Sequence, residues 1–63
     1  MTITIGCDHA GVELKNDIIN YIKKQHEVFD VGTYNSDSVD YPDIAHKAIN
    51  RLLENKADRV ILL

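Results

Sequence analysis

Three short apolar runs, interleaved with two stretches of helical periodicity, leave this 63-residue chain few folds to choose from. The strand patterns fall at Thr2–Cys7, Glu27–Val31 and Val60–Leu63. Between the first two, Ala10, Leu14, Ile18 and Ile22 recur every fourth residue with Ile19 beside them, which predicts a helix from about Ala10 to Lys24 with one buried face. Pro42 suits the first position of a second helix, and Asp43 places a negative charge in its first turn. The stripes Ile44/Ala48/Leu52 and Ala45/Ile49/Leu53 carry that helix to about Asn55. Val60-Ile61-Leu62-Leu63 is apolar without a break, as suits a parallel strand covered on both faces.

The order βαβαβ predicts an α/β fold: a Rossmann-like unit whose three-stranded parallel sheet runs 2-1-3, with a helix on each face. In such sheets ligands bind beyond the carboxyl ends of the strands, at the point where strand order reverses. One small domain is expected, burying about 60% of the surface of its unfolded chain. Trp is absent, and Tyr21, Phe29, Tyr34 and Tyr41 are the aromatics, so the core must be aliphatic.

Charge excludes some classes of function. The net charge is −3, and the lysines and arginines are scattered among acids, which speaks against a nucleic-acid surface. Cys7 is the single cysteine, so there is no internal disulfide and no zinc-finger spacing. The first residues lack a basic stretch followed by an apolar one, and no segment reads as membrane-spanning. A cytoplasmic protein without nucleic-acid or membrane partners is the expectation.

Gly6-Cys7-Asp8-His9-Ala10-Gly11 is where chemistry would sit, because it joins the first strand to the first helix. Asp8 can accept a hydrogen bond from a ligand hydroxyl, and His9 can bind a phosphate oxygen or move a proton near neutral pH. Alternatively, Asp8 only caps the helix and His9 is solvated beside it. Cys7 reads as a small buried hydrophobe rather than a nucleophile. The glycines match neither nucleotide-binding fingerprint and instead fit a sharp turn. Tyr41 opens the second helix, also on a strand's carboxyl side; its phenol can reach a sugar hydroxyl or staple the helix start. Asp37, Asp40, Asp43 and His46 form an acid-rich group that more often occurs without metal than with it. His26 carries no evident chemistry.

Several segments resemble one family in order and spacing: Gly6–Gly11 with Leu14-Lys15, His26-Glu27-Val28, Asp30–Tyr34, Ser38–Asp43 and Ala57-Asp58-Arg59. Together they are similar to the type B ribose-5-phosphate isomerases and the related galactose-6-phosphate isomerase subunits. The resemblance implies an aldose–ketose isomerase that opens a sugar phosphate and moves a proton between C1 and C2 through an enediolate, with no metal or other cofactor. By the match, Asp8 is the catalytic position, contacting sugar hydroxyls and assisting ring opening. His9 meets the substrate near its phosphate, and Tyr41 bonds the sugar.

In the family, the third strand leads into a glycine-rich loop with a proton-transferring Cys or Ser. A later histidine and C-terminal arginines follow, and the site is shared across a dimer. Residues 1–63 therefore read as the N-terminal half of a truncated larger domain, inactive alone and expected to form a homo-oligomer. The residues that choose among sugars also fall after that strand. Two other readings stay open: a non-catalytic fragment that persists by assembly, and a small phosphate-binding module. Gln25 stands where the family commonly has Gly, which predicts a costly end to the first helix.

Overall fold

A computed structural model of the protein describes residues 1–32 and 41–63, apart from the Tyr41 side chain. The elements are β1 (Thr2–Gly6), a short 3-10 turn (His9–Gly11), α1 (Val12–Ile22), β2 (Glu27–Asp30), α2 (Tyr41–Leu53) and β3 (Arg59–Leu62). The three strands form a parallel sheet in the order β2-β1-β3. Fold class, strand order and element types agree with expectation, and each element end lies within two residues of its expected place.

Strand alternation puts the helices on opposite faces. Thr4 pairs with Phe29 and Val60, so these three side chains share one face. Arg51 of α2 lies on that face: its Nε donates to Thr4 Oγ1 at 2.9 Å and its guanidinium sits 3.6 Å over the Phe29 ring. Ile5 pairs with Asp30 and Ile61 on the other face, where Lys15 of α1 meets Asp30. The core is aliphatic, as composition requires: Ile3, Ile5, Cys7, Ile44, Ala48 and Ala57 are the buried hydrophobics. Tyr21 and Phe29 are exposed. At the far edge of the sheet, Asp58 takes the Thr2 amide on its carboxylate and gives its own amide to Thr2, both at 2.8 Å, which sets the register of β3.

The buried face of α1 differs from the expected stripe. Ala10 lies in the 3-10 turn and is exposed, and Leu14 is 54% exposed. The inward residues are Lys15, Ile18, Ile19 and Ile22, spaced i, i+3, i+4 and i+7. The 3-10 turn delays the α-helix to Val12, and the bond from Lys15 to Asp30 centres the face on a lysine. On α2, Ile44 and Ala48 are buried, while Ile49, Leu52 and Leu53 face outward.

The two helix ends also correct an expectation. Gln25 needs no left-handed backbone: its amide and that of His26 both donate to the Ile22 carbonyl, at 3.1 and 3.0 Å, and the chain keeps its right-handed winding into the turn. The expected cost at Gln25 therefore does not arise. Among the described residues, Asn55 is the non-glycine with positive φ, at 60°. It closes α2 in a Schellman turn, with Lys56 N bonded to Arg51 O and Asn55 N to Leu52 O. Arg51 Nη2 adds a bond to the Lys56 carbonyl, so one side chain ties the helix end to the sheet.

Gly6 lets α2 approach β1. A Cβ there would lie 2.8 Å from Ile44 Cγ2 and 3.0 Å from Val31 Cγ2, both on branched side chains with little room to turn away. Gly6→Ala should destabilise the fold by about 1–3 kcal/mol through overpacking, read as a lower urea midpoint at unchanged slope.

Candidate active site

The connection after β1 is built from backbone bonds that the sequence makes possible. Cys7 N donates to Gly32 O at 2.8 Å, which carries β1 one residue beyond its ladder and joins it to the turn after β2. Cys7 is fully buried, in keeping with its reading as a core residue. The next residue, Asp8, has an extended backbone (ψ −176°) and turns its carboxylate back onto the chain. Its Oδ1 accepts from Ala10 N at 2.9 Å and Gly11 N at 3.2 Å. Asp8 is therefore an N-cap of the 3-10 turn that leads into α1. Both bonds use Oδ1, so among the described residues Oδ2 is left to face a ligand or solvent. His9 follows directly and is exposed.

All three expected site residues lie on one edge of the sheet. Asp8 and His9 sit beyond the carboxyl end of β1. Tyr41 is the first residue of α2, one turn before Ile44, which packs against Gly6 at that same strand end. The Tyr41 phenol lies outside the described atoms. The end of β3 also meets this edge: Leu63 N donates to Gly6 O at 3.0 Å, and Gly11 packs against Cys7 and Leu63. Asp37 and Asp40 fall outside the described residues, and Asp43 and His46 are exposed on α2. Among the described residues, no three His, Cys, Asp or Glu side chains are placed to hold a metal ion. None of the helices described is long and apolar enough to cross a membrane.

What the edge can do follows from this geometry. It offers a fixed carboxylate oxygen, an exposed imidazole and the start of a helix, which suits a hydroxylated anionic ligand. A profile of the ribose/galactose isomerase family matches residues 3–63. The chain belongs to that family. Solved relatives superpose closely: ribose-5-phosphate isomerase B of Clostridium thermocellum has a TM-score of 0.94 at 43% identity over 98% of this chain. The Thermotoga maritima ribose 5-phosphate isomerase gives 0.92 at 50% identity over 97%. The Listeria innocua ribose-5-P isomerase B is 41% identical over the whole chain. This chain spans 43% of the length of each of the three.

One pair escaped the sequence reading. Lys15 Nζ, on a side chain with no exposed surface, lies 2.9 Å from Asp30 Oδ1, and the same oxygen accepts from Gly32 N at 2.8 Å. The signal was present: Lys15 heads the spacing Lys15/Ile18/Ile19/Ile22, a charged residue where an inward apolar one belongs. Asp30 occupies an inward position of β2 in the same way.

The capping role of Asp8 makes a separate prediction. Asp8→Ala should cost about 1 kcal/mol of stability by freeing the Ala10 amide, while the Gly11 amide keeps its bond to the Asp8 carbonyl; Asp8→Ser, which can still cap, should recover most of it, and thermal unfolding of the two variants checks this.

Proposed function

We propose that this chain is the N-terminal part of a sugar-phosphate isomerase of the ribose-5-phosphate isomerase B type, interconverting ribose 5-phosphate and ribulose 5-phosphate. The observation that carries the reading is the likeness of this chain, along nearly its whole length, to the corresponding 43% of enzymes of that name, with Asp8 and His9 at the carboxyl end of β1. In this reading Asp8 Oδ2 accepts a hydrogen bond from a sugar hydroxyl as the ring opens, and Oδ1 keeps the carboxylate in place. His9 donates to the phosphate, and Tyr41 bonds a further hydroxyl. The substrate's phosphate supplies binding energy that orients C1 and C2, and no metal is invoked. Proton transfer between those carbons belongs to a residue contributed by the remainder of the family fold. Galactose 6-phosphate is the alternative substrate, since the family's description covers both sugars.

A chimera tests this. With residues 1–63 replacing the matching segment of the Thermotoga maritima enzyme, ribose 5-phosphate should be isomerised, and Asp8→Asn should lower kcat/KM about a hundredfold or more. A folded chimera that is inactive, or an Asp8→Asn variant as active as its parent, would overturn the reading.

We further propose a cytoplasmic protein that works as a homo-oligomer. What supports association is one flank of α2. Lys47, Asn50, Arg51 and Glu54 line the groove beside β2, whereas Ile49, Leu52 and Leu53 are exposed elsewhere on the helix. Among the described strands β3 has a neighbour on one edge only. Sedimentation should give at least twice the 7.1 kDa chain mass, and Leu53→Lys should shift the population toward monomer. A monomer at all concentrations tested would remove the proposal.

A further inference from the structure

Lys15 is fully buried and paired with Asp30, and the proposed chemistry gives it no part. A buried ion pair is costly to desolvate, and apolar side chains of similar volume often serve stability as well or better. The path leading away from Lys15 gives a reason for its presence. Nζ holds Asp30 Oδ1, which holds the Gly32 amide at 2.8 Å. Gly32 has φ 108°, a backbone that side-chain-bearing residues rarely adopt, and the Asp30 bond fixes it there. That conformation aims the Gly32 carbonyl at Cys7 N, and Cys7 is the residue before Asp8. Asp8 in turn caps the turn that opens α1, the helix carrying Lys15. The contacts thus close a ring around the site edge.

We propose that Lys15 is a positioning residue: through Asp30 and Gly32 it fixes the direction in which the Asp8–His9 turn meets its sugar-phosphate ligand. The inference rests on reading that turn as the sugar-phosphate site. It assigns Lys15 no contact with substrate. Its influence passes through two hydrogen bonds and one glycine carbonyl, and small misplacements of that kind are enough to lower affinity strongly.

NMR on the full chain provides the test. Ribose 5-phosphate is titrated while the His9 imidazole is followed, and amide exchange is measured at Cys7, Gly32, Thr4 and Ile5. Lys15→Met keeps the length of the side chain and removes the charge. Lys15→Met/Asp30→Val removes both charges and the acceptor of Gly32 N, and it stands in if the single variant fails to fold. The expected result is a dissociation constant about tenfold higher, with Cys7 and Gly32 amides exchanging about tenfold faster while Thr4 and Ile5 keep their protection. Unchanged affinity in a folded variant would overturn the proposal. So would a fall in Thr4 and Ile5 protection in step with Cys7, which marks general loosening. No response of His9 in the parent chain would instead sink the site reading, and Cys7 exchange would still decide whether Lys15 holds the turn.

Discussion

Everything in this molecule leans on one five-residue strand. β1 is paired along both edges and covered on both faces, and Ile3, Thr4 and Ile5 are buried. Its two faces are not alike. Ile3 and Ile5 meet the α1 side, where aliphatic packing suffices. Thr4 and Gly6 meet the α2 side, where a hydroxyl needs a partner and a missing side chain leaves a gap. Arg51 answers the first need and Ile44 fills the second. A small sheet with little apolar area to bury gains from such anchors, because each also fixes orientation. Arg51 binds strand, aromatic ring and helix terminus at once, so α2 has little freedom to slide or roll over the sheet.

That anchoring shapes the edge at which the candidate site lies. With Ile44 seated against Gly6, the first turn of α2 lies at the carboxyl end of β1. The turn after β1 arrives at the same place because Cys7 extends the strand by bonding Gly32. Right-handed crossovers bring both helix starts to one edge whenever parallel strands are ordered 2-1-3. The place of the candidate site is thus a consequence of topology first, and of particular side chains second.

The parts legible in the sequence were those set by local periodicity. The three strands, two helices and their order follow from alternation and from i, i+4 spacing, and the 13-residue α2 starts beside Pro42 as proline's fixed φ favours. Boundaries and faces were less legible where a side chain bonds across the sequence. Leu14 looked inward because it kept step with Ile18 and Ile22; it faces solvent because Lys15, bonded to Asp30, takes the central position. Gln25 looked like a strained cap, but the Ile22 carbonyl receives two amides and the left-handed turn is not needed. The place that needs it is the end of α2, where asparagine is well suited to it. Asp8 and His9 are proposed as site residues from their position between strand and helix. The pairing of Lys15 with Asp30 is not legible in this way: the spacing marks Lys15 as inward, but nothing local in the sequence names its partner.

Asp8 was open to two readings, helix cap or ligand contact, and the geometry makes them compatible. A carboxylate has two oxygens, and the cap occupies Oδ1 twice. Those two bonds immobilise the side chain before any ligand arrives, so binding at Oδ2 does not have to pay again for ordering it. Preorganised groups of this kind are what transition-state stabilisation requires, since a carboxylate that must first reorient gives up part of its advantage. The cap is therefore compatible with the proposed ligand role rather than a replacement for it. The same reasoning explains why Gly32 matters: by holding Cys7 N it fixes the backbone from which Asp8 departs, and a side chain pinned to a wandering backbone would be pinned to nothing.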